Sequence, residues 1–423
     1  MKRSAFSLAL ISWLLVVATA TLGAGLPTAK PEQVGLSTER LERIGRTLRA
    51  DVEHGRIAGA VVLVARKGQV AYLEAVGFRD KAAGTPMTPD AIFRIASMTK
   101  PIVTVAALSL VEEGRLFLSD PVAKYVPALG KMQVGVEKVD PATGKTVVTT
   151  VAAERGMTVQ DLMRHTSGLT YGNRGSSEIH KMYPESSNWA SVNLTMDEFI
   201  EQLGKAVLLH QPGTTWDYSL STDVLGRVVE VVSGKPLGTV LEERIYRPLK
   251  MTDTAFLVPA EKRGRIAQPL STHPDTGKPF TLADPTVPRK FDCGGGCAVS
   301  TANDYARFAQ MLLNRGVLDG TRVLSRKTVE YMTSDHLGPT VSRGASYFAG
   351  PGYTWGLGVA VRQDNGLSPI PGSAGDYFWP GAFATYFWVD PKEELVAVSL
   401  MQSPLGRHYI QVVRSLVLQS IVE

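Results

Sequence analysis

Segments with strand character occupy the two ends of this chain, and the long middle between them is helical. Residues 60–65 and 70–76 are apolar and β-branched, with Lys67-Gly68 between them, a pattern that predicts a hairpin. Residues 355–361, 382–389 and 395–400 again predict strands, the last two separated by the turn Asp390-Pro391-Lys392-Glu393. Between the two ends, residues 101–113 form a strongly apolar helical run that stops at Gly114, and residues 223–233 an amphipathic one. The same middle section carries Asp140-Pro141-Ala142-Thr143-Gly144, turn chemistry between two short Val/Thr-rich strands. Helical periodicity also marks residues 37–50, where Leu41, Ile44 and Leu48 share a face, and residues 409–422. The pattern predicts one α/β domain of the α+β type, built from residues 27–100 and 290–423, with a mainly helical domain, 101–289, inserted into it.

A chain of 423 residues with 44% hydrophobic content is long enough for that arrangement. Its net charge of +5 comes without a basic run, which argues against nucleic acid as a partner. The N-terminus reads as a signal peptide over residues 1–20, with cleavage there or as late as residue 24. Lys2-Arg3 is its positive region, residues 6–17 its apolar stretch, and Ala18-Thr19-Ala20 its small-residue site. The apolar run is shorter than the roughly 20 residues of a spanning helix, and no second run follows. The expectation is an exported protein, periplasmic or secreted, with no membrane span after processing. Cys293 and Cys297 either close a small loop in an oxidising compartment or simply flank a tight glycine turn. With no histidine beside them they make a poor metal site.

The chemistry starts at Ser97-Met98-Thr99-Lys100, which opens the apolar helical run. A spacing of three puts both functional side chains on one face, one turn apart. A serine hydroxyl needs a neighbouring base to attack a carbonyl, and a lysine can serve if burial lowers its pKa. The helix N-terminus favours an oxyanion beside the serine, and Pro101 is tolerated in a first turn. Two further segments supply context. Tyr218 precedes the 223–233 helix and offers a proton relay. Trp379-Pro380-Gly381 lies at the entrance of a strand, where Gly381 allows close approach of substrate and the Ala382 amide can join that of Ser97 in an oxyanion hole. His165 has no Asp or Ser at telling spacing, and no Gly-x-Ser-x-Gly elbow is present.

Taken in order, these segments resemble the serine β-lactamase and penicillin-binding-protein superfamily, and within it the class C-like esterases known as family VIII carboxylesterases. The resemblance spans about residues 30–420. It runs through Phe93-Arg94-Ile95-Ala96-Ser97-Met98-Thr99-Lys100, Asp161-Leu162-Met163-Arg164-His165-Thr166-Ser167-Gly168-Leu169 and Tyr218-Ser219-Leu220. It continues with Leu249-Lys250-Met251-Thr252-Asp253-Thr254, Gly294-Gly295-Gly296-Cys297-Ala298-Val299-Ser300-Thr301 and Trp379-Pro380-Gly381. The resemblance implies an antiparallel sheet flanked by helices, with Ser97 as nucleophile, Lys100 as its base, Tyr218 assisting proton transfer and His165 structural. It implies no cofactor and no metal. Two departures bear on the substrate, a small molecule in this family. Leu220 stands where β-lactamases carry an asparagine, and Trp379 where they carry a lysine that meets a substrate carboxylate. As substrate-site residues, Leu220, Trp379 and Gly381 then favour a neutral ester with a hydrophobic acyl part, with β-lactam turnover weak or absent. A D-amino-acid amidase, DD-peptidase or weak β-lactamase remains the enzymatic alternative, and a penicillin-recognising binding protein the non-catalytic one.

Overall fold

A computed structural model describes residues 25–344 and 347–423. The signal-peptide reading falls on residues outside these. Eight strands form one antiparallel sheet: β1 (Gly59–Arg66), β2 (Gln69–Asp80), β3 (Thr85–Pro86), β4 (Tyr353–Trp355), β5 (Ala360–Arg362), β6 (Tyr377–Gly381), β7 (Thr385–Asp390) and β8 (Leu395–Met401). Their spatial order is β4-β5-β6-β7-β8-β1-β2-β3. The join between the two ends of the chain is the β1–β8 ladder, running from Ala60 opposite Met401 to Arg66 opposite Leu395. Every residue of both strands is buried, so side chains on each face need a cover. Helix α1 (Thr38–Glu53) packs with the C-terminal helix on one side of the sheet, while the helix Ala302–Leu313 lies against β8, β7 and β1.

The middle of the chain holds α2 (Thr99–Glu112) against α3 (Ser221–Ser233). Residues 99–110 of α2 are all buried, as expected of a helix that is apolar around its whole circumference. One continuous hydrophobic core runs from the sheet into these helices. The Val/Thr-rich strands of the middle section pair as a hairpin, Val134–Val139 with Thr146–Val151.

Three boundaries differ from the sequence pattern. Residues 355–361 are not one strand but the end of β4, a turn and the start of β5. Gly356 and Gly358 make that turn, the latter at φ +75°, and a side chain on Gly356 would strike the Met332 carbonyl. Residues 382–384 are the loop of the β6–β7 hairpin, with Ala384 at φ +61°, so Gly381 ends a strand instead of entering one. The last helix is Gly406–Leu418, because Ile421 leaves it to bridge Leu36.

The segment that leads from the insert toward the site is held by a buried carboxylate. Asp161 accepts bonds from Arg155 (2.6 Å), Arg164 (2.9 Å), Thr166 Oγ1 (2.7 Å) and the Thr158 amide (2.9 Å). Burial alone would raise its pKa, but these donors outweigh it and lower the value to about 2. A carboxyl whose folded pKa is depressed contributes its full stabilisation above the unfolded value and loses it as pH falls through the folded one. Asp161→Asn should therefore cost about 3 kcal/mol in urea unfolding at neutral pH. The gap between variant and wild type should close as pH is lowered from about 4 toward 2.

Candidate active site

The strand pair Phe93–Arg94 with Val299–Ser300, extended by the Ile95 amide on the Ala298 carbonyl (3.0 Å), draws two loops together. One loop carries Ser97, the other the glycines 294–296. Ala96 turns the chain at φ +47°, a left-handed conformation that costs a non-glycine residue about 1 kcal/mol or more. A short 3-10 turn, Ala96–Met98, then runs into α2. Between residues 91 and 100 only Ser97 is not buried. It opens onto a cavity of about 430 Å³ whose walls include Tyr171, Arg174, Tyr218, Gly295 and Ala382.

Lys100 lies beneath Ser97 and is fully buried. Its ammonium donates to Ser97 Oγ (3.4 Å), to Tyr171 Oη (3.1 Å) and to the Gly295 carbonyl (2.5 Å), and it sits 4.5 Å from the centre of the Tyr218 ring. Burial pulls its pKa down. The phenols of Tyr171 and Tyr218 and the Asp223 carboxylate, together with a hydrogen bond donated to Tyr218, more than reverse that and hold it above an ordinary lysine. Burial thus acts on Lys100 in the direction a base requires, while the groups around it act in the other. Tyr218 also accepts a bond from Trp379 Nε1 (3.1 Å).

Behind Lys100 a polar chain continues inward. Tyr171 Oη meets Ser187 Oγ (3.2 Å), which donates to Asp223 (2.6 Å), and Asp223 in turn accepts from the Gly295 amide (2.8 Å). Burial raises the Asp223 pKa. A side chain on Gly295 would collide with Ser187 and Asp223, so glycine is required for this close approach. Cys293 and Cys297 form a disulfide that closes a ring around that loop. Sequence spacing does not mark Tyr171, Asp223 or Ser187. Tyr171 follows the Gly168-Leu169 segment by two residues, and Asp223 was read only as the start of a helix.

The remaining residues fall into place unevenly. Ala382 is exposed at the tip of the β6–β7 loop and borders the Ser97 cavity. Gly381 is buried, and its missing side chain admits the Ile95 carbonyl, so it seats β6 against the chain entering Ser97; it also lines a cavity beside the one at Ser97. Leu220 is wholly buried at the start of α3, and Trp379 is buried under Tyr218; neither lines the cavity. As substrate contacts these two are corrected: one packs the core, the other holds Tyr218. His165 is buried among Trp216, Tyr218 and Trp355, with Nδ1 at 3.2 Å from Ser219 Oγ. Burial, then the charges of Lys100 and Arg174, push its pKa well down.

Residues 44–414 match the family model described as Beta-lactamase. Protein Rv1367c of Mycobacterium tuberculosis is 37% identical over 84% of this chain and 88% of its own. Esterase EstB of Burkholderia gladioli is 30% identical over 79% and 83%. The solved structure of EstCE1, a hydrolase with promiscuous acyltransferase activity, superposes with a TM-score of 0.74 at 27% identity, over 91% of this chain and 99% of that one. The chain belongs to the beta-lactamase family, in the esterase branch of the serine β-lactamase/penicillin-binding-protein superfamily. It is a serine hydrolase.

Because the disulfide spans so short a ring, opening it should cost global stability no more than about 2 kcal/mol. Its larger effect should fall on the Gly295 carbonyl that meets Lys100. In the Cys293→Ser/Cys297→Ser variant, kcat should fall by about tenfold or more while urea unfolding shows that small loss.

Proposed function

We propose that the chain cleaves carboxylic esters through an acyl-enzyme on Ser97. The observation that carries this reading is a half-exposed serine on a strained turn, bonded to a buried ammonium and opening on one cavity with Ala382. The names of EstB and EstCE1, an esterase and a hydrolase, support an ester as the class of substrate.

Lys100 and Tyr218 act as one proton-accepting unit. The pair holds one proton fewer than its full complement, and its Tyr218 oxygen, which receives the Trp379 N–H, takes the proton of Ser97 as Oγ attacks the ester carbon. The Ser97 and Ala382 amides receive the oxyanion. Collapse of the tetrahedral adduct breaks the ester C–O bond, and the departing alkoxide recovers the proton from Tyr218. Water then repeats the sequence on the acyl group, releasing the acid and restoring the Ser97 hydroxyl. Export also belongs to this reading, and the Cys293–Cys297 disulfide supports it, since such bonds persist in oxidising compartments.

Ser97→Ala should abolish hydrolysis of p-nitrophenyl butyrate and labelling by a fluorophosphonate. Turnover at the wild-type rate in that variant, or an adduct mapped to another residue, would overturn the assignment. Trp379→Phe removes one donor to Tyr218 and should lower kcat about tenfold, the kinetic equivalent of one net hydrogen bond.

A further inference from the structure

Lys100 and Asp223 are joined by a chain of two hydroxyls whose direction is fixed. An ammonium only donates hydrogen bonds and a carboxylate only accepts them. Lys100 Nζ donates to Tyr171 Oη (3.1 Å), and at the far end Ser187 Oγ donates to Asp223 Oδ2 (2.6 Å). Ser187 has a single hydroxyl proton, so in its 3.2 Å contact with Tyr171 the phenol is the donor. Every bond of the chain points from the ammonium to the carboxylate. All four side chains are buried. Burial raises the Tyr171 pKa against the pull of Lys100, so this phenol can pass a proton on but does not stay ionised. At the end of the chain, burial likewise raises the Asp223 pKa. Three other ionisable groups adjoin the cluster. Tyr218, from the segment leading into α3, faces Lys100. His165 is kept neutral by burial, and Arg174 is charged at every working pH, so neither exchanges a proton with the chain.

We propose that Lys100 becomes a base by handing its proton to Asp223 through Tyr171 and Ser187, and not by losing it to solvent. This rests on Lys100 and Tyr218 being the acceptor of the Ser97 proton, and it accounts for the one proton that the pair lacks. The Nζ–H bond breaks as Tyr171 Oη gains that proton. Tyr171 gives its own to Ser187 Oγ, and Ser187 gives its own to Asp223 Oδ2. Ammonium and carboxylate become amine and carboxylic acid, and the three hydrogen bonds reverse direction without being lost. The interior gains no net charge, whereas release of the same proton to solvent would leave Asp223 a buried anion without its partner. A turn about the Cε–Nζ bond brings the amine lone pair round to Tyr218 and Ser97. Tyr218 passes its proton to the amine as it takes that of Ser97, and both transfers run backwards when the alkoxide leaves. Asp223 acts only through this chain and is a positioning residue for the proton.

The test is the pH profile of kcat with p-nitrophenyl butyrate. In wild type the profile should be level between about pH 7 and 9, because a shift inside the cluster exchanges no proton with solvent. Ser187→Ala cuts the chain and leaves the charge of Asp223 in place. Its kcat at pH 7 should fall about 100-fold with KM unchanged, then rise about tenfold per pH unit as solvent deprotonates Lys100. Tyr171→Phe should behave in the same way, and Ser187→Thr, which keeps a hydroxyl, should restore the level profile. Asp223→Asn removes the acceptor and also the anion that holds the Lys100 pKa up, so its alkaline rise should end at a lower pH than that of Ser187→Ala. Wild-type kcat in Ser187→Ala and Tyr171→Phe, or a loss whose pH profile runs parallel to wild type, would overturn the proposal. If these variants fold poorly, the wild-type profile decides: a kcat that climbs about tenfold per pH unit from neutrality shows Lys100 losing its proton to solvent. Failure of the esterase reading is distinct, since wild type would then hydrolyse no ester and Ser97 would take no fluorophosphonate.

Discussion

The buried ammonium of Lys100 is the charge around which the site is assembled. Taking an ion out of water costs several kcal/mol unless the protein replaces its hydration. Here the replacement comes from separate pieces of chain: the Gly295 carbonyl, the Tyr171 phenol, the Tyr218 ring and, one layer back, Asp223. Each of these has its own demand. The Gly295 carbonyl reaches Lys100 because Gly294 and Gly295 let the loop press against Thr222, Ser187 and Asp223. Asp223 is tolerable in the interior only because Ser187 and the Gly295 amide bond to it and Lys100 offsets its charge. The cluster is a mutual arrangement in which no member would be stable without the others.

Much of the architecture was legible because strand and helix leave different periods in a sequence. The hairpin of β1 and β2, the helix after Ser97 and the closing strand β8 all lie where apolar and β-branched runs predict them. The boundaries that moved did so for tertiary reasons. Gly356 and Gly358 break what reads as one strand because the chain must pass the Met332 carbonyl, and no pattern in residues 355–361 announces that neighbour. The site was legible only where its members carry motif spacing. Ser97 and Lys100 are three apart on one turn. Tyr171 and Asp223 meet Lys100 through folding alone, and their types are too common to stand out.

The residues in the two positions that usually distinguish substrates in this superfamily have been drawn into the interior. Trp379 donates its one polar hydrogen to Tyr218, so an indole at that strand position holds a side chain of the cavity wall in place. Polarity of the binding surface is then decided by the loops that border it. A motif residue identifies chemistry reliably when it touches the reacting atoms, and much less so when neighbouring loops can cover it.

The β1–β8 ladder bears on when the enzyme comes into being. Ser97 is made early and Ala382 late, and the strand that joins the sheet's two halves, β8, follows later still. Closing a contact between positions nearly a full chain length apart is entropically expensive and slow. A ribosome will therefore have made almost all of this chain before Ser97 and Ala382 can border one cavity. Until then that cavity lacks the side that the β6–β7 loop supplies.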